Sequence, residues 1–119
     1  MRVTRIAASG RERSGNEIFK GRVDYQTIVG DDVGKDLSMS EVHFIDGARN
    51  RWHMHSTDQI LLITDGEGIV ADEAEERTVS AGEVALIPRN TKHWHGAKPG
   101  KDMTHLSILA AAKTAIVGD

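Results

Sequence analysis

His53 and His55 stand one residue apart, Gln59 follows shortly after, and His93 lies further along the chain. On a β-strand the side chains alternate faces, so positions 53 and 55 point the same way and can grip one ion. A helix would splay them apart, because neighbours there lie three or four residues on. Three imidazole nitrogens and one amide oxygen suit a first-row divalent metal such as Mn, Fe, Ni, Cu or Zn. Four protein ligands leave positions free for water or substrate, whereas a structural zinc site is closed and usually contains cysteine. The pattern therefore points to metal-assisted catalysis. Glutamine in place of a carboxylate leaves the full charge on the ion, which strengthens it as a Lewis acid toward an oxygen or an anion. It also weakens metal affinity and biases the site away from redox cycling. The competing reading of such a pair is two exposed strand residues. Gln59, His93 and glycines at fitting intervals weigh against it.

These residues need strands to carry them, and the chain supplies short segments split by turns. Ile18 to Val29 ends at Gly30-Asp31-Asp32, and Glu41 to Ile45 alternates, with Val42 and Phe44 on one face and Glu41 and His43 on the other. Asp46-Gly47 marks a turn before the histidine strand. The run Gln59 to Thr64 meets Asp65-Gly66, a hairpin signal into Gly68 to Glu73. Glu73 to Arg77 reads as a loop or hairpin tip, Val84 to Ile87 as a strand, and Pro88-Arg89-Asn90 as a turn. The last clear strand is Met103 to Leu109, and the remainder closes as a short helix or frayed strand. Many short strands and almost no helical periodicity predict an all-β barrel or sandwich. Residues 1–16, polar around a weak apolar stretch, are expected as a flexible arm or edge strand, with the barrel over 17–119. A glycine, an apolar strand and histidines recur at Gly47 to His55 and Gly82 to His95, a weak echo of two similar β-motifs.

At 119 residues the chain is one domain with one core. Hydrophobic residues at 39% and charged residues at 28% are ordinary for a soluble globular protein. A net charge of -3 offers no basic footprint for nucleic acid or an anionic membrane. Without cysteine there is no disulfide framework or thiolate site, and no apolar run approaches membrane-spanning length. The first residues contain no secretory h-region, so a cytoplasmic protein is expected.

Gly47, five residues, His53-Met54-His55, three residues, Gln59, six residues and Gly66 resemble the first motif of the cupin family, with Gln in place of the usual Glu. Gly82, five residues, Pro88 and then His93 resemble the second, with Asn90 where the family usually has glycine. Asn tolerates the left-handed backbone such a turn requires. The resemblance implies a jelly-roll barrel, ligands pointing inward, and a homodimer or higher homo-oligomer.

His95 follows His93 by two, so it faces the same interior. On the last strand Met103, His105 and Ser107 share one face and Thr104, Leu106 and Ile108 the other. With Leu106 outward, His105 looks into the cavity. A neutral imidazole near a divalent ion is available as a base. The alternatives are an orienting hydrogen-bond partner for His95 and an inert barrel residue for His105. His43 reads as a surface or sheet-packing residue, and Trp52 and Trp94 as packing behind the ligands.

The stretches Lys92 to Ala97, Met103-Thr104-His105, Gly47-Ala48-Arg49 and Trp52-His53 are similar to small cupins that include the manganese-dependent hydroxynitrile lyases. That resemblance implies metal ligands His53, His55, Gln59 and His93, active-site histidines His95 and His105, and a pocket wall at Ser40 and Val42. Ser56-Thr57-Asp58 departs from the more apolar loop found there, which leaves the substrate open. The implied function is reversible cleavage of a cyanohydrin to aldehyde and cyanide, with Mn(II) as first choice and Fe(II), Ni(II) or Zn(II) as alternatives. An iron dioxygenase, a sugar-acid isomerase and a non-catalytic metal or ligand sensor are the competing functions, since one fold hosts many chemistries.

Overall fold

The computed structural model describes residues 1–30 and 33–119, so the turn expected at Asp31-Asp32 lies outside the described residues. Among the described residues twelve strands form a curled antiparallel structure: β1 (Glu12–Arg13), β2 (Phe19–Lys20), β3 (Val23–Val29), β4 (Leu37–Phe44), β5 (Arg49–Asn50), β6 (His53–His55), β7 (Gln59–Asp72), β8 (Glu76–Ser80), β9 (Val84–Ile87), β10 (His93–Ala97), β11 (Met103–Ala110) and β12 (Thr114–Ile116). The only helix among the described residues is a single 3-10 turn, Ala8–Gly10. One sheet runs β1-β3-β4-β11-β7-β9, and the other joins β8, β7, β10, β5 and β2. In the second sheet β6 also pairs β10, and β12 pairs β6.

β7 belongs to both sheets and corrects one expectation. Asp65-Gly66 does not turn a hairpin: the strand continues for 14 residues. A register shift opposite Thr104/His105 bends it, so its first half pairs β11 and β9 and its second half β10 and β8. A bulge of this kind adds twist and lets one strand turn the corner between sheets. Gly66 sits at φ 79, where an added Cβ would collide with the Asp102 carbonyl. The dipeptide signal thus reports a close backbone approach rather than a chain reversal. The true hairpin tip comes after Asp72, whose Oδ1 accepts from the Ala74 and Glu75 amides at 2.8 and 3.0 Å.

Alternation places the core between the sheets. Val23, Phe44, Leu61, Ile63 and Met103 are essentially unexposed, with Val42, Val79 and Ile87 around them. Burying each such side chain contributes roughly 1.5–3 kcal/mol. Glu41 is on the opposite face of β4 yet also buried, because Arg11 of the N-terminal segment covers it with an Nε–Oε1 bond of 2.7 Å. Burial alone would raise the Glu41 pKa, but the hydrogen bonds from Arg11 and Gln26 reverse this and hold it below its ordinary value. His43, on the same face, meets Thr104 Oγ1 through Nδ1 at 2.7 Å, a contact within the sheet.

Candidate metal centre

Strand parity delivers the histidines to one place. His53 and His55 are buried on one face of β6, with Met54 between them only half-buried. β10 runs antiparallel to β6 with His93 opposite His53, which brings their ring centroids to 4.2 Å. One nitrogen from each of His53, His55 and His93 lies within 4.8 Å of the other two. Gln59, the first residue of β7, enters the same cluster, its Oε1 at 3.2 Å from His93 Nε2.

The surrounding hydrogen bonds determine which atoms face the centre. His53 Nδ1 donates to the Arg51 carbonyl and His93 Nδ1 to the Thr91 carbonyl, each at 2.8 Å. A carbonyl only accepts, so the proton of each neutral ring is on Nδ1 and the lone pair on Nε2. His55 Nδ1 lies 2.8 Å from Thr114 Oγ1, and its buried Nε2 has no partner. Gln59 Nε2 donates to Ser107 Oγ at 2.9 Å, which turns Oε1 toward the imidazoles. His93 Nε2 and Gln59 Oε1 therefore face each other as two acceptors. Two lone pairs held together in a buried site repel, and a cation between them converts that repulsion into attraction. Three neutral nitrogens and an amide oxygen fit a borderline divalent cation.

Burial also keeps the rings uncharged. It pushes His53 down to about 3 and His55 down to about 4, helped in both by the nearby His93, and it lowers His93. Neutral imidazole is the form that ligates a metal.

Two more histidines complete the buried cluster. His95, two residues after His93 on β10, and His105 on β11 meet through Nδ1 and Nε2 at 2.9 Å. Burial holds His95 well below its usual value, reinforced by His105, and lowers His105 to about 4. Asn50 on β5 accepts the His95 amide at 2.7 Å and places its own amide nitrogen 3.4 Å from both nitrogens of that ring.

A cavity of about 450 Å³ opens onto His53, His55, Gln59, His95 and His105. Ser40 and Val42 form part of its wall, with Val42 opposite His105 and Ser40 opposite Ser107 in the β4–β11 register. Phe44 and Leu109 add apolar surface, while Arg13 to Asn16, Ile18, Phe19 and Tyr25 also contribute to its lining. Among the described residues, no aspartate or glutamate lines it. Asp58 takes no part in it: its carboxylate is exposed and accepts the Arg89 amide at 2.8 Å. Trp94 is buried beneath the Arg49 guanidinium, 4.1 Å from its ring centre, and packs behind the ligand strand. Asn90 takes a left-handed φ of 61 in the turn before His93.

The structure brings together every residue singled out from the sequence as a ligand, base or wall, and adds Asn50, Ser107, Thr114 and the segment from Arg13 to Phe19. Ser107 had a signal, since it shares a face with His105. Thr114 had none, because it is separated from His55 by 59 positions.

The profile of the cupin domain matches residues 40–109. The chain is 30% identical over 109 residues to an (R)-mandelonitrile lyase from Granulicella tundricola, covering 91% of this chain and 83% of that protein. A cupin-like protein from Thermotoga maritima superposes with a TM-score of 0.85 at 31% identity, covering 90% of this chain and 84% of the other. A polyketide cyclase from Streptomyces resistomycificus shares the fold alone, with a TM-score of 0.79 at 13% identity over 99% of this chain and 89% of its own. The chain belongs to the cupin family.

Proposed function

We propose that this protein is a metal-dependent lyase that reversibly cleaves a cyanohydrin to an aldehyde and cyanide. The observation that carries the reading is the placement of the neutral His95–His105 pair in a cavity that His53, His55 and Gln59 also line. The likeness to an (R)-mandelonitrile lyase supplies the substrate class. His53, His55 and His93 through Nε2, and Gln59 through Oε1, would hold the metal. A divalent ion, Mn(II) for preference, supplies Lewis acidity to the oxygen of the guest.

His95 accepts the hydroxyl proton through Nε2, the ring nitrogen that does not face His105. As the carbon–carbon bond breaks, its electron pair leaves with cyanide, and the histidine pair returns the proton to give hydrogen cyanide. Val42, Phe44 and Leu109 seat the apolar part of the substrate, and Ser40 fixes the polar end by hydrogen bonding. The described residues of the wall carry no carboxylate to repel the developing alkoxide and the departing cyanide.

The test is cyanide release from mandelonitrile by manganese-loaded protein without oxygen. Turnover lost on chelation, and reduced by about a hundredfold or more in His95→Ala and in His105→Ala, is the expected result. Turnover that needs oxygen indicates an oxygenase instead, and unchanged rates in both variants remove the proposed base.

The assembly we propose is a homodimer. Ile60 with Leu86, and Leu62 with Val84, are cross-strand pairs, and Val84 and Leu86 are 62% and 63% exposed. Light scattering at micromolar concentration should give twice the chain mass of 13.0 kDa, and a monomer contradicts this.

A further inference from the structure

Strand β12 is exposed at all three positions, so burial does not hold it in place. It is held by hydrogen bonds, and these lead to the metal-ligand strand. Thr114, Ala115 and Ile116 pair with His55, Met54 and His53 of β6. On one side, Ser56 donates its amide to the Lys113 carbonyl at 3.0 Å, and its Oγ accepts the Lys113 amide at 2.9 Å. On the other, the Val117 amide donates to the Trp52 carbonyl at 2.8 Å, and Arg51 reaches the Asp119 carboxylate at 3.0 Å. The segment 113–119 thus clasps β6 along its whole length.

The clasp ends on a ligand. His53 and His93 are oriented by main-chain carbonyls only two residues away, in the segments that lead directly into their strands. His55 has no such local support: its Nδ1 rests on the Thr114 hydroxyl at 2.8 Å, while its Nε2 is the buried nitrogen without a partner. A hydroxyl accepting from Nδ1 keeps the proton there and leaves the Nε2 lone pair directed at the cluster.

We propose that Thr114 is a positioning residue of the metal centre, and that metal binding and docking of segment 113–119 stabilise each other. The inference rests on the metal site proposed above and extends it to a segment outside the barrel's core. The coupling is reciprocal by thermodynamic necessity. Whatever Thr114 adds to metal affinity, the metal returns as stability of the clasp. A segment whose own residues are exposed, and which is held chiefly by hydrogen bonds, opens locally at low cost, so the effect should be visible there first.

The experiment titrates wild type, Thr114→Val and Thr114→Ser with Mn²⁺ by calorimetry, and follows amide hydrogen exchange with and without the ion. Thr114→Val, isosteric but without the hydroxyl, should bind about tenfold more weakly or worse, and Thr114→Ser should recover most of the loss. In the wild type the ion should slow exchange at residues 114–117 more than in β8, which carries none of the four candidate ligands. This second readout needs no variant to fold. Wild-type affinity in Thr114→Val, or equal slowing in β12 and β8, overturns the inference and leaves the metal centre standing. Failure of the wild type to bind Mn²⁺, Fe²⁺, Ni²⁺ or Zn²⁺ overturns both.

Discussion

At the scale of single residues, the proposed centre depends on a second group that aims each candidate ligand atom. Gln59 depends most on this, since an amide presents oxygen or nitrogen according to its partner. Ser107 settles the choice by accepting from Nε2. Ser107→Ala should free the carboxamide to rotate and weaken Mn²⁺ binding by about tenfold, read by calorimetry, with the fold intact. Gln59→Glu tests the charge argument from the other side. A carboxylate there should bind the ion more tightly while slowing the proposed cyanohydrin cleavage, because it would offset part of the charge that polarises the substrate oxygen. Faster turnover with tighter binding would contradict that argument.

At the scale of elements, the arrangement depends on register. The one-to-one pairing of β6 with β10 sets His93 against His53, and a slip by one residue would turn each ligand outward. The bend in β7 matters equally, since it places Gln59 in one sheet and the partners of β10 in the other. Gly66, just past the shift, lets the strand run close against Asp102. Gly66→Ala forces a Cβ against the Asp102 carbonyl at positive φ and should lower stability by about 2 kcal/mol or more, seen as a reduced urea midpoint. A midpoint like that of the wild type would show that the chain passes Asp102 without needing glycine.

Legibility from sequence follows the same line. Parity along a strand is local, so the inward faces of His53 and His55, of His93 and His95, and of His105 and Ser107 could be read directly. Asp65-Gly66 misled because a hairpin and a close pass of two backbones demand the same residue at the same φ. Thr114 and Arg11 stayed hidden because their partners, His55 and Glu41, are brought to them only by the finished topology.

At the scale of the whole molecule, an apolar core and a cluster of five buried imidazoles share one barrel, and the second carries a cost that depends on pH. Burial lowers the pKa of His53, His55, His93, His95 and His105 in the folded protein. Between the unfolded value near 6.5 and the folded values, the unfolded chain binds more protons. Stability therefore stands in full above about pH 6.5 and drains away as pH falls toward 4. For His105 alone, lowered to about 4, the loss from pH 7 to pH 5 is about 2 kcal/mol. Urea unfolding of the metal-free protein should show at least that decrease, and a flat profile would mean that these rings are open to solvent. Bound metal should steepen the dependence, because protons compete for the same nitrogens.

The most direct test of the account is anomalous diffraction from crystals grown with Mn²⁺, recorded at an energy that identifies manganese. The expected result is one peak per chain, in bonding contact with Nε2 of His53, His55 and His93 and with Oε1 of Gln59, facing the cavity that holds His95 and His105. A peak elsewhere, or full-strength crystals with no manganese among those four atoms, would contradict it.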